Sequence, residues 1–185
     1  MTELRPSPST PPLPSSDVST AVIARARRGD VAALTAIHAR YAPELLAVAA
    51  RLVGSRDEAA DVVQDLFVGL PEALARYTDQ QRFGAWLRRV AVRLALSRLR
   101  TRARRRESAL DLLPSHVAVE PVPTLDRLAL AAAIVALPES QRVVFVLREV
   151  EGYTHAEIAA LLGISRAASE VRLFRAVRRL RALLA

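Results

Sequence analysis

The sequence predicts an all-α fold, two small helical domains joined by a flexible linker, the C-terminal one a helix-turn-helix. Three observations support it. Beyond residue 17 alanine and leucine dominate and apolar residues recur at spacings of three and four, while the β-branched alternation that marks strands is nearly absent. The period breaks in "ESALDLLPSHVAVEPVP", residues 107–123, where prolines gather. Near the end, "THAEIAALLGISRAASEV" sets a short helix, a glycine turn and a longer helix in succession.

Residues 1–17 are rich in proline and serine with few large apolar groups, too few to offset the entropy of ordering, so this extension is expected to be disordered. A first helix over "STAVIARARRG" ends at Gly29, and Asp30 is placed to cap the second. That helix carries Val31, Leu34, Ile37, Tyr41, Leu45, Val48 and Leu52 on one stripe, with Pro43 expected to kink or interrupt it. After Gly54, Ser55 and Asp57 open "SRDEAADVVQDLFVGL", which runs to Pro71. A short helix, a polar turn at "TDQQ" and the long "RFGAWLRRVAVRLALSRLRTRARRR" complete a bundle over residues 18–106. Its core is expected around Phe67, Leu74, Trp86, Leu87, Val90 and Leu94.

The second domain spans 124–185. Pro138 suits the first turn of "PESQRVVFVLREVEG", which Gly152 stops. Thr154 with Glu157 has the spacing of a capping box for "HAEIAALL", Gly163 makes the turn, and Ser165 can cap the last helix.

The chain has 185 residues and a net charge of +8, from 27 basic residues, all arginine, against 19 acidic ones. Such a surplus favours a polyanionic partner, because each neutralised phosphate releases condensed counterions. Without cysteine there is no disulfide, zinc thiolate or thiol chemistry. His38, His116 and His155 are scattered; His155 and Glu157 supply half a zinc motif that nothing nearby completes. With no Gly-rich phosphate loop and no nucleophile motif, the expectation is no enzyme, no cofactor, no metal and no small-molecule substrate. The N-terminus has proline where a signal peptide needs an apolar core, and no apolar run approaches the ~18 residues of a membrane span, so a cytoplasmic protein that is not membrane-inserted is expected.

Ordinary helical hairpins also use glycine turns, so the last two helices gain meaning from their charges. Leu173, Ala176, Val177, Leu180 and Leu184 share one side of the final helix, while Arg172, Arg175, Arg178 and Arg179 spread over the other with one acid, Glu170, among them. One side can pack on the domain while the other meets phosphates and base edges. Val171 and Phe174 also fall outward and could meet thymine methyls, another domain or a protein. A second cluster, Arg98, Arg100, Arg102, Arg104, Arg105 and Arg106, follows Phe83 and Trp86, a combination suited to a single strand; helical spacing makes core packing the simpler role for Trp86.

Three stretches, "SRDEAADVVQDLFVGLPEALARY", "FGAWLRRVAVRLALSRLRTRARRR" and "ALPESQRVVFVLREVEGYTHAEIAALLGISRAASEVRLFRAVRRLR", resemble in order the bacterial extracytoplasmic-function sigma factors, two-domain specificity subunits of RNA polymerase. The resemblance implies that Asp61, Gln64, Asp65 and Phe67 dock on the clamp region of the largest subunit of core RNA polymerase, although core packing explains Phe67 more simply. It implies that Trp86, Arg88, Arg89, Arg93, Arg98 and Arg100 open and hold the upstream-ten element. It further implies that Ser165, Arg166, Ser169, Glu170, Arg172, Arg175 and Arg179 read the upstream-thirty-five element of promoter DNA. The linker would thread the polymerase, and an anti-sigma factor would hold the protein in check.

The chain departs from the family pattern at Pro71, where an aromatic Trp is common, and at Arg93 and Ser97, where Asn and Asp are common. Ala167, Ala168, Ser169 and Glu170 replace a frequent Gly-Thr-Val-Lys; a glutamate there removes a phosphate contact and can accept from a cytosine amino group. Two other readings stand beside it: a conventional two-domain regulator acting without polymerase, and a degenerate member that no longer directs initiation.

Overall fold

Capping residues set most helix boundaries. In the computed structural model, which describes residues 18–78, 82–108 and 125–184, all regular structure is helical. The expected extension 1–17, most of the linker and most of the polar turn lie outside the described residues. Helix α1 (Thr20–Arg27) stops before Gly29, and Asp30 caps α2 (Val31–Val53) by accepting from the Ala33 N–H. Pro43 does not interrupt α2, which continues to Gly54, a left-handed C-cap at φ +78°. Ser55 accepts from the Glu58 N–H to start α3 (Arg56–Val68), followed by α4 (Leu70–Ala75) and α5 (Phe83–Ser108).

These described residues divide into two compact units, the first ending at Val135 and the second beginning at Ala136. In the first, α2, α3 and α5 pack on one another and α1 closes over α2 and α4. Ile37, Tyr41, Leu45, Leu66, Leu70, Leu74, Phe83 and Leu87 form a continuous core, and each such side chain contributes roughly 1.5–3 kcal/mol on burial. Of the expected core, Leu74 and Leu87 are fully buried, whereas Phe67, Trp86, Val90 and Leu94 pack around the rim; Val31, at the start of the expected stripe, is exposed.

Helix α6 (Leu125–Val135) precedes α7 (Glu139–Phe145), for which Pro138 stands at the cap rather than within the first turn. A π-helical turn, Val146–Val150, continues α7. This wider turn brings the chain to Gly152 (φ +75°), with the Tyr153 N–H donating to the Leu147 carbonyl at 2.9 Å. Both bonds of the Thr154–Glu157 capping box start α8 (His155–Leu162), Gly163 ends it at φ +65°, and Ser165 accepts from the Ala168 N–H ahead of α9 (Arg166–Leu184). Helix α9 packs on α7 and α8 through Ala176 and Leu180.

Candidate nucleic-acid interface

Helix α5 has its apolar residues, Leu87, Ala91, Val92, Ala95, Leu96 and Leu99, inside. Its periodicity therefore turns Arg89, Arg93, Ser97, Arg100 and Arg104 outward on one line. At 1.5 Å per residue this ridge is about 22 Å long. At its N-terminal end Trp86 stacks on Phe83 (centroids 5.6 Å, 25°) and meets Tyr77 at 4.9 Å. The same tryptophan lines a cleft of ≈ 280 Å³ with Arg76, Tyr77, Thr78, Arg82 and Arg89. Trp86 is thus half-buried, packing on the core with one part and facing the cleft with another. Aromatic surface beside guanidinium groups suits an unstacked base and its phosphate.

Three arginines of α5 take part in the scaffold. Arg88, its side chain 14% exposed, pairs with Glu44 of α2 at 3.0 Å, so its charge is turned inward rather than presented. Arg98 pairs with Asp61 and lies 4.0 Å from Asp65, bridging α5 to α3. Further along, Arg102 pairs with Glu58 at 2.9 Å.

Asp61, Gln64 and Asp65 are exposed on one face of α3, spaced three and four apart. Phe67 faces elsewhere, half-buried on the core and tilted against His38 at 4.6 Å. In its place the acidic face ends at Val68, 76% exposed. Sequence reasoning does not single out that residue, nor Arg76 and Arg82 of the cleft; the position of Val68, seven beyond Asp61, is the available clue.

In the second unit the turn Gly163–Ser165 sets α9 across α8. Arg166, Glu170, Arg175 and Arg179 are exposed, Arg172 is half-buried, and the cap residue Ser165 is exposed. Val171 and Phe174 remain outward, Phe174 being 68% exposed. Ser169 is buried, its hydroxyl 2.9 Å from Nδ1 of His155. It therefore ties the two helices together instead of facing a groove. Hydrogen bonds from the Thr154 hydroxyl and backbone N–H hold the Glu157 carboxyl below its usual range. This accounts for Glu157 as a cap. Among the described residues no cluster of three or more His, Asp or Glu side chains could hold a metal ion, and no helix is long and apolar enough to cross a membrane.

Comparison with known proteins gives these surfaces a common setting. Residues 37–105 match the sigma-70 region 2 family and residues 127–180 match sigma-70, region 4. The chain is 28% identical over 169 residues to the RNA polymerase sigma-H factor of Pseudomonas aeruginosa, spanning 84% of this chain and 88% of that protein. To the ECF RNA polymerase sigma-E factor of Escherichia coli K12 it is 29% identical over 169 residues, again 84% and 88% of the two chains. Its fold is similar to that of the sigma factor RpoE solved in complex with the anti-sigma factor NepR from Bartonella quintana, with TM-score 0.60, 26% identity, and 81% and 95% of the two chains covered. With the two sigma-70 regions following one another along a single short chain, the protein belongs to the sigma-70 family as an alternative sigma factor of the extracytoplasmic-function class.

Proposed function

We propose that this sigma factor docks on the clamp region of core RNA polymerase through the exposed α3 face of Asp61, Gln64 and Asp65, extended by Val68, and directs initiation with both units. Residues 18–106 act as the docking and strand-opening domain, 107–123 as the linker and 124–185 as the duplex reader. The α5 ridge of Arg89, Arg93 and Arg100, with Arg98 and Trp86 beside it, covers the opened upstream-ten element; Arg88 acts indirectly, by holding α5 to α2. The α9 face of Arg166, Glu170, Arg172, Arg175 and Arg179, entered at Ser165, reads the upstream-thirty-five element, with Ser169 fixing its angle to α8. The protein works in the cytoplasm without catalysis of its own, and an anti-sigma factor restrains it, as NepR accompanies the similar RpoE.

The observation that carries this reading is the outward arginine surface on each of the two units, in the chain order of regions 2 and 4. A conventional regulator would use the α9 face but leave the acidic α3 face and the α5 ridge without a shared purpose. Run-off transcription by purified core polymerase on fragments of the source genome, with and without the protein, tests it alongside gel filtration of the mixture. Protein-dependent transcripts with co-elution are expected; failure to co-elute would hand the role to a conventional regulator.

A further inference from the structure

Glu170 is the one acidic residue of α9, which carries six arginines. Its Oε1 accepts from Nε of Arg166 at 2.9 Å, one turn earlier. Helix stability does not explain the pair. Arg166 is the first residue of α9, where the helix dipole disfavours a cation, and the acid following the base by four is the poorer order for an intrahelical pair. Both side chains are exposed, Arg166 at 74% and Glu170 at 47%, so the contact is worth little as a surface ion pair.

The geometry of the bond is more informative than its energy. Arg166 donates through Nε, the inner nitrogen, and its side chain makes no other hydrogen bond among the described residues. Its two terminal nitrogens are left as an outward fork. A guanidinium held by its Nε offers end-on the two parallel donors that match O6 and N7 of guanine in the major groove. A long side chain loses rotamer freedom when it binds, and fixing it beforehand lowers that cost.

We propose that Arg166 reads a guanine and that Glu170 is a specificity-determining positioning residue, acting through Arg166 rather than by touching a base. This rests on the duplex-reading role proposed above for α9. It differs from direct readout, in which the Glu170 carboxylate accepts from a cytosine amino group. It also differs from simple charge neutralisation, in which only the negative charge of Glu170 matters.

The test uses full-length protein with core RNA polymerase on a promoter fragment transcribed in the run-off assay, its upstream element randomised, with bound fragments sequenced. Wild type is expected to select guanine at one base pair, by roughly 5- to 150-fold, the discrimination of a bidentate arginine. Arg166→Ala abolishes that preference. Glu170→Ala reduces it by roughly 1.5- to 5-fold at the same base pair, the range for an exposed ion pair, while binding to fragments lacking the guanine holds or rises as an acid is removed. Glu170→Gln, whose amide oxygen still accepts from Nε, retains most of it.

An unchanged preference in Glu170→Ala overturns the proposal. So does a change at a different base pair from that affected by Arg166→Ala, which would make Glu170 a reader of its own base. A Glu170→Gln variant as deficient as Glu170→Ala would reduce the pair to charge neutralisation. If wild type transcribes no fragment, the reading of the chain as an active initiation factor fails first. If it transcribes but selects no guanine, only the Arg166 assignment falls.

Discussion

Glu157 shows how one side chain can look like chemistry and serve as structure. With His155 it has the spacing of half a metal motif, yet its carboxylate accepts from both the N–H and the hydroxyl of Thr154, each at 2.7 Å. The first causes of its lowered pKa are those two bonds, side chain before backbone. Since the folded-state value lies below the ordinary carboxylate value, the contribution to stability is complete above the ordinary value. It is lost as pH falls through the depressed one. Wild type and Glu157→Gln should therefore differ in melting temperature at neutral pH and converge in acid; a constant difference would mean that the charge is irrelevant. Thr154→Ala removes the cap at any pH and should cost about 1 kcal/mol by denaturant unfolding of the full chain. Ser169 makes a similar case, being a candidate reader by position and a buried strut to His155 by geometry.

At the scale of elements, the local cues were legible. Asp30, Ser55, Ser165 and the Thr154–Glu157 box each cap the helix that follows, because the bond spans only three residues and its donor and acceptor are adjacent in sequence. Gly163 was legible for the same reason. Its φ of +65° is open mainly to glycine, and a Cβ there would meet nothing within 4 Å, so Gly163→Ala should cost on the order of 1 kcal/mol from the backbone alone. The same unfolding measurement checks this value, and a cost of several kcal/mol would indicate that α8 and α9 reorganise. Less legible were features made by contacts between helices. Arg88 meets Glu44 and Arg98 meets Asp61 through packing of α5 on α2 and α3, and Trp86 divides between core and cleft beside Tyr77, which follows α4. A single helical wheel shows which face is polar, but not which neighbouring helix supplies the opposite charge. Pro43 illustrates the converse: propensity favoured a break, and the packed face of α2, from Tyr41 through Leu45 and Val48, holds the helix together across it.

For the whole molecule, docking and DNA binding should be separable in one unit and coupled in the other. Arg175 lies on the exposed face of α9, in a different compact unit from Asp61. Arg175→Ala should weaken promoter binding and lower the salt slope by about 0.9, the share of a single phosphate neutralised, while co-elution with core polymerase is unchanged. Arg98 belongs to the other case, because its guanidinium pairs with Asp61 and approaches Asp65, the carboxylates proposed for docking. On the proposed docking, a polymerase surface that engages those carboxylates would compete for them and leave Arg98 to the opened strand. Asp61→Asn should imitate that release. In the free protein it should tighten single-stranded DNA binding by roughly 1.5- to 5-fold, the range expected for freeing one partner of a partly exposed ion pair, while weakening co-elution with polymerase. In an Arg98→Ala background the gain should vanish while the docking defect persists, since the defect belongs to Asp61 and the gain to Arg98. Equal gains in both backgrounds would trace the effect to net charge alone, and no gain in either would show that Arg98 is fully available to DNA while still paired.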